Sequence, residues 1–248
     1  MKHRKLLLAH VRKGNYAHAG EEEAINFAMR GSPKKNGQLL LDVGCGLGGT
    51  ANYIKNNNWG RVTGIDIDKE VINYAKNQYS HIDFKCCDVI NVERLFNKKK
   101  FDIVYSFNAY FCFPFQEKSL KALASIAKND SDLIIFDYAS PGLFNKRNPF
   151  DNQMSLVKKT FSPINISTIY ETLLSSGWLL KSITDLTEKF IKWYQTFIKN
   201  MDMQKKELIN YFGEDTYNEV HNGYSNLLSL IYEKEVGGAL IHATRKFT

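Results

Sequence analysis

The chain has 248 residues, 44% of them hydrophobic, with 33 Lys and Arg against 26 Asp and Glu for a formal net charge of +7. That length buries a sizeable core as one domain or as a core with an appended region, and no apolar run approaches the roughly 20 residues that span a bilayer. Leu6-Leu7-Leu8-Ala9 follows basic residues but is too short for a secretory signal, and Cys45, Cys86, Cys87 and Cys112 contain no C-x-x-C pair, so reduced thiols and a cytoplasmic setting are expected.

A helix is predicted from about Glu21 to Met29, where Glu21, Glu22 and Glu23 complement the positive end of the helix dipole. Tyr16 and His18 lie on the approach to it. The next segment, Leu39-Leu40-Leu41-Asp42-Val43-Gly44-Cys45-Gly46-Leu47-Gly48-Gly49, reads as a buried strand over 38–43 that turns through alternate glycines into a helix over 49–57. Glycine removes a Cβ where the backbone must turn sharply and let a ligand lie against main-chain N–H groups. The spacing nearly permits the dinucleotide pattern G-x-G-x-x-G. Asp42, two residues before the first glycine, argues against it, because a carboxylate there repels a pyrophosphate and suits a ligand bearing an amino group and a sulfonium. S-Adenosylmethionine is such a ligand.

A strand over 61–66 ends at Asp66, followed by Ile67 and Asp68, and an acid at that place accepts ribose hydroxyls. A helix over 69–78 leads to a strand over 82–86, after which Asp88 could accept from an adenine amino group while Val89 packs against the ring. A fourth strand over 101–106, a helix over 116–128 and a fifth strand over 132–138 continue the alternation. Repeated βα units imply a doubly wound parallel sheet with its ligand at the strands' carboxyl ends.

Past Tyr138 the pattern changes to a loop over 140–165, a helix over 166–176, a sixth strand over 178–184, a helical stretch over 188–235 and a last strand over 237–246. Phe190, Ile191, Trp193, Tyr194, Phe197, Ile198 and Met201 recur at helical spacing in that stretch. An insertion placed there would lie over the carboxyl ends of the strands and cap a substrate pocket, although such a stripe equally serves core packing. The expected fold is an α/β, doubly wound, Rossmann-like seven-stranded sheet with a helical insertion before its last strand. Its expected parts are a lid and first helix over 1–35, a cofactor core over 36–140, and a cap with closing strands of the same sheet over 141–248.

The Asp-x-Gly-x-Gly-x-Gly turn from Asp42 to Gly48, with Asp66 and Asp88 behind it, resembles the class I S-adenosylmethionine-dependent methyltransferases. Gly14-Asn15-Tyr16-Ala17-His18-Ala19-Gly20, Phe136-Asp137-Tyr138, Asp185-Leu186-Thr187 and the closing Gly237–Lys246 are similar to the phosphoethanolamine and sarcosine/dimethylglycine N-methyltransferases. The resemblance implies a small-molecule acceptor. It assigns Tyr16, Ala17 and His18 to a lid over the cofactor and Tyr138 to the acceptor pocket. With Asp42, Gly44, Cys45, Gly46, Gly48, Asp66, Ile67, Asp88 and Val89, it adds Ser106 and Asn108 at the end of the fourth strand to the cofactor set. The phosphobase enzymes carry an Arg-Asp pair and then a His after that strand, where this chain has Phe107, Asn108 and Cys112.

Methyl transfer is an in-line displacement, so the protein chiefly holds acceptor and methyl together and excludes water, and no metal is required. His18, Tyr138 and Asp137 are the candidate bases for an acceptor that sheds a proton. Tyr110, Phe111, Phe113 and Phe115 could wall the acceptor or stabilise positive charge. The basic runs at Lys2–Lys5, Lys34-Lys35 and Lys98–Lys100 are read as solvated surface, which argues against a nucleic-acid partner despite the charge. A monomer or homodimer is expected. An RNA or protein methyltransferase and a non-catalytic S-adenosylmethionine-binding module are the alternatives.

Overall fold

Leu40 and Leu41 are neighbours in one strand, both fully buried, and they belong to two separate apolar clusters. Successive strand residues face opposite ways, so a strand that buries both must have a packed layer on each side. This is an inner strand of a three-layer α/β/α arrangement. The computed structural model describes residues 2–35, 37–97, 100–144, 148–150 and 161–246.

In chain order, α1 (Lys2–Val11) and α2 (Glu21–Ala28) precede β1 (Leu39–Val43), α3 (Gly49–Asn56), β2 (Arg61–Asp66), α4 (Lys69–Gln78) and β3 (Asp83–Cys86). Next come α5 (Val92–Phe96), β4 (Phe101–Phe107), α6 (Gln116–Ser125) and β5 (Ala127–Ser140). The last third holds β6 (Ile164–Asn165), α7 (Ile169–Ser175), β7 (Trp178–Asp185), α8 (Thr187–Met203), α9 (Lys205–Phe212), α10 (Glu214–Tyr232) and β8 (Gly237–Arg245). The sheet runs β3-β2-β1-β4-β5-β8-β7, with the two-residue β6 paired to the end of β5.

Local chemistry explains most of these boundaries. Asp68 caps α4 by accepting from the Glu70 N–H at 2.8 Å, and Val71, Ile72 and Ala75 give that helix its buried stripe. In α8, Phe190, Tyr194, Phe197 and Met201 are buried at spacings of four, three and four. The Phe190 ring lies over β8 where Gly238 has no side chain, and a Cβ there would stand 2.6 Å from the ring.

The structure departs from the sequence expectations in four ways. Strands β1 to β5 are parallel, but β8 inserts between β5 and β7 antiparallel to both. The helix expected to reach residue 128 ends at Ser125, and β5 begins at Ala127, because Ala127 pairs with Phe101 across an irregularity in register. The helical stretch over 188–235 divides into three helices, with breaks at Gln204 and at Gly213, whose φ is 85°. The basic N-terminus, read as solvated, forms α1 with Leu7, Leu8 and Val11 buried. Of the run Lys98–Lys100, Lys98 and Lys99 lie outside the described residues, as do 145–147 and 151–160 of the long loop.

Replacing Gly238 by alanine should push Phe190 and α8 off the sheet, at a cost of about 1–3 kcal/mol. A lowered urea midpoint is the expected reading; a wild-type midpoint would show that α8 is not seated on β8 this closely.

Candidate functional site

The carboxyl ends of the parallel strands open on one cavity, covered by α1 and α10. Its floor is the turn after β1. Gly44, Gly46 and Gly48 all have positive φ, at 78°, 52° and 88°. Gly48 immediately precedes α3, and a Cβ there would meet the Phe84 ring at 2.7 Å. Gly44 lets Ala109, from the loop after β4, approach its backbone closely.

Asp66, at the end of β2, is the best-connected acid in the cavity. Its Oδ2 accepts the Gly46 N–H at 2.9 Å and its Oδ1 accepts the Asp68 N–H at 2.9 Å. Ile67 and Val89 flank it in the lining, and Asp88, whose Oδ1 accepts from the Ile90 N–H at 3.2 Å, lies after β3 on the same wall. Asp42 is buried 2% exposed, with its Oδ2 lacking any protein partner. Burial, and then the charge of Asp66, push its carboxyl up to about 8. Alone it is protonated at neutral pH.

Asn108 follows β4 with a left-handed φ of 46°, and neither Nδ2 nor Oδ1 of its carboxamide has a partner. It lines the cavity where the glycine turn meets an aromatic wall of Phe107, Phe111, Phe113 and Tyr138. The Tyr138 hydroxyl lies 2.6 Å from the Tyr194 hydroxyl, and burial pushes it well above the usual phenol range.

Of the residues singled out from sequence, Ala17, Gly44, Gly46, Asp66, Ile67, Asp88, Val89, Asn108 and Tyr138 meet around this cavity. Others stand behind it. Cys45 and Ser106 are buried. The Tyr16 hydroxyl donates to Glu22 at 3.2 Å. His18 places Nε2 3.0 Å from Thr50 Oγ1 and Nδ1 3.1 Å from the Ala19 carbonyl, and burial drives its pKa down to about 3. Asp137 accepts from the Tyr138 N–H at 2.7 Å and the Phe111 N–H at 3.2 Å; burial raises it to about 7 against the pull of those backbone donors. It braces the loop after β4.

Sequence reasoning missed the roof: Arg4, Lys5 and Leu8 of α1, Phe150, and Val220 and Tyr224 of α10. Lys5 Nζ lies 3.4 Å from Asp66 Oδ2. Burial works against its charge, but Asp66 keeps the ammonium's pKa above its ordinary value. Arg4 donates to Glu219 of α10 at 2.8 Å. The signal for α1 was the spacing of Lys5 and Leu8, one helical turn apart on the face that meets the cavity.

The model of a family described as methyltransferase domain matches residues 34–208. Phosphoethanolamine N-methyltransferase of Triticum aestivum is 24% identical over 197 residues, covering 77% of this chain and 38% of the wheat protein. The same-named protein of Plasmodium falciparum is 24% identical over 217 residues, covering 85% of this chain and 80% of its own length. Among solved structures, phosphoethanolamine N-methyltransferase 2 of Haemonchus contortus, in complex with phosphomonomethylethanolamine and S-adenosylhomocysteine, superposes with a TM-score of 0.87 at 18% identity, over 100% of this chain and 58% of that one. The chain thus spans about two fifths of the wheat relative's length.

His18 should stay neutral in the folded protein, with ring 15N shifts unchanged from pH 8 to pH 5; a transition near pH 6.5 would refute its buried placement. Because its folded pKa is depressed, the stability it contributes is present above about 6.5. That contribution drains as pH falls towards 3, by up to about 1.4 kcal/mol per pH unit.

Proposed function

The chain belongs to the methyltransferase-domain family, and on that premise we propose that it transfers a methyl group from S-adenosylmethionine to the nitrogen of a small amine. The carrying observation is the convergence on one cavity of the glycine turn, Asp66 at the end of β2, and Asp88 with Val89 after β3. Those are a cradle, a diol acceptor, and an edge and face for a purine. The relatives whose names specify an N-methyltransferase of phosphoethanolamine support an amine as acceptor.

The residues present fit the cofactor. Asp42 offers a buried oxygen with no partner, which a cationic amino group would satisfy. Gly44 and Gly46 leave the turn bare towards the cavity, Asp66 would take ribose hydroxyls, and Asp88 and Val89 would hold the adenine. Ala17 lines the same cavity, while Tyr16 ties its segment to Glu22 of α2 and His18 ties it to Thr50 at the start of α3. Cys45, Gly48 and Ser106 shape the turn and strand end from behind. When bound, S-adenosylmethionine supplies a methyl carbon made electrophilic by its sulfonium.

On the acceptor side, Asn108 Oδ1 would accept an amine N–H and so aim the nitrogen lone pair at the methyl. The faces of Phe107, Phe111 and Tyr138 would stabilise the positive charge that grows on that nitrogen, by about 0.5–2 kcal/mol per good contact. Tyr138 serves as a wall rather than a base, because burial holds its hydroxyl protonated. Asp137 and His18 act through the backbone and helix start they hold. Among the described residues no helix is long and apolar enough to cross a membrane. The reducing, cytoplasmic setting we propose is supported by the four cysteines, which are all free.

Transfer of radiolabelled methyl into an extract, separated into low-mass and macromolecular fractions, tests the proposal; label confined to RNA or protein would overturn the small-acceptor reading. Replacing Asp66 by alanine should weaken S-adenosylhomocysteine binding about tenfold or more, since two charge-assisted hydrogen bonds are lost. Unchanged affinity in calorimetry would remove Asp66 from the cofactor set. Binding at pH 7 should also release a proton from Asp42, seen as different enthalpies in phosphate and Tris, and the release should fade as pH rises through about 8. Equal enthalpies at pH 7 would count against Asp42 as the partner of the amino group.

A further inference from the structure

Asp66 has more claimants than its place in the cofactor site requires. A carboxylate offers about four lone-pair positions. One on Oδ2 accepts from the Gly46 N–H and one on Oδ1 from the Asp68 N–H, both at 2.9 Å. Lys5 Nζ takes a third, 3.4 Å from Oδ2. A ribose diol that donates to both oxygens needs two positions, and only one is left. Something must yield.

The two backbone donors cannot, because Gly46 belongs to the glycine turn and Asp68 starts α4. Lys5 can. Its stem is flexible and its side chain is 21% exposed, against 8% for Asp66. Its ammonium lies on the glycine turn itself, 3.6 Å from where a Cβ of Gly46 would stand. The rest of α1 is held in place independently. Leu7, Leu8 and Val11 are buried, Arg4 pairs with Glu219, His10 Nε2 lies 3.1 Å from Glu207, and Arg12 pairs with Glu21.

We propose that Lys5 of the unliganded chain occupies the ribose position on Asp66, and that the diol of an adenosyl ligand must displace it to bind. The inference rests on the cofactor reading above. Lys5 thereby sets the cofactor affinity from the roof of the site, with the position of its own side chain set by whether the cofactor is bound. The Lys5 side chain is already partly exposed, so the ammonium can move without the helix leaving its seat.

The experiment is calorimetric titration of the full chain with S-adenosylhomocysteine, comparing wild type, Lys5→Met and Lys5→Arg. Methionine keeps the apolar stem and removes the competing cation, so Lys5→Met should bind about three- to fivefold more tightly, the scale of a partly exposed ion pair. Lys5→Arg, which keeps a cation on Asp66, should stay within about twofold of wild type. The gain should appear with adenosine and vanish with 2′,3′-dideoxyadenosine, which has no diol to compete. Equal or weaker binding by Lys5→Met overturns the displacement, and so does a gain of the same size with the dideoxy ligand. A wild-type chain that binds no S-adenosylhomocysteine overturns the cofactor reading instead, and this inference with it.

Discussion

The carboxylate of Asp66 joins three parts of the molecule that are distant in sequence. Through the Gly46 N–H it fixes the glycine turn, through the Asp68 N–H it fixes the start of α4, and through Lys5 it reaches the helix that roofs the cavity. Charge-assisted hydrogen bonds to backbone donors are about twice as strong as neutral ones. They hold a turn of positive-φ glycines that has few side chains of its own to pin it. The parallel sheet determines why this hub can exist, because β1 and β2 pair in register with Asp42 opposite Gly64 and Val43 opposite Ile65. Both strands therefore end close to one level, with Asp66 on the cavity wall and Asp42, opposite Gly64, buried behind it.

The half of the fold built from local signals was legible in the sequence. The run Leu39–Val43, the glycine turn, the Asp68 cap and the Val71, Ile72, Ala75 stripe each carry their own reason, and the elements lie where those reasons put them. What escaped depends on tertiary partners. α1 carries no acidic residue in its first turn and begins with four basic residues before Leu6; it is helical because Leu7, Leu8 and Val11 find a core and Arg4 and His10 find Glu219 and Glu207. The start of β5 is a polar stretch, Lys128-Asn129-Asp130-Ser131, that no alternation rule would select, yet Lys128 is anchored 2.8 Å from Asp102. The antiparallel course of β8 follows from the three helices that carry the chain back between β7 and β8, a matter of connection rather than of strand composition.

The site divides along the same line. The placing of Asp66 and Asp88 on the cavity wall was legible because each lies at or just past a strand end, a position the βα alternation defines. The candidate bases were not, since a side chain's role depends on what lies in front of it. His18 and Asp137 are both buried and both committed, one to Thr50 and the Ala19 carbonyl, the other to the backbone N–H groups of Phe111 and Tyr138. A His beside a lid segment and an Asp after a strand read identically in sequence whether they face a ligand or hold a loop. Only packing separates the two.

Asn108 brings two local costs to one position. Its backbone is in the left-handed region, and its carboxamide has neither donor nor acceptor satisfied, so it combines strain with unmet polarity. Asparagine tolerates that φ better than most residues, which explains how the backbone is held but not why the amide is left open. The position answers the second point. Ala109, the next residue, lies against Gly44 of the glycine turn, and Phe111, two further on, begins the aromatic wall held by Asp137. The unpartnered amide is therefore buried in a residue that lines the seam between the glycine turn and the aromatic wall, and a neutral amide there leaves no fixed charge at the point where the two halves of the cavity join.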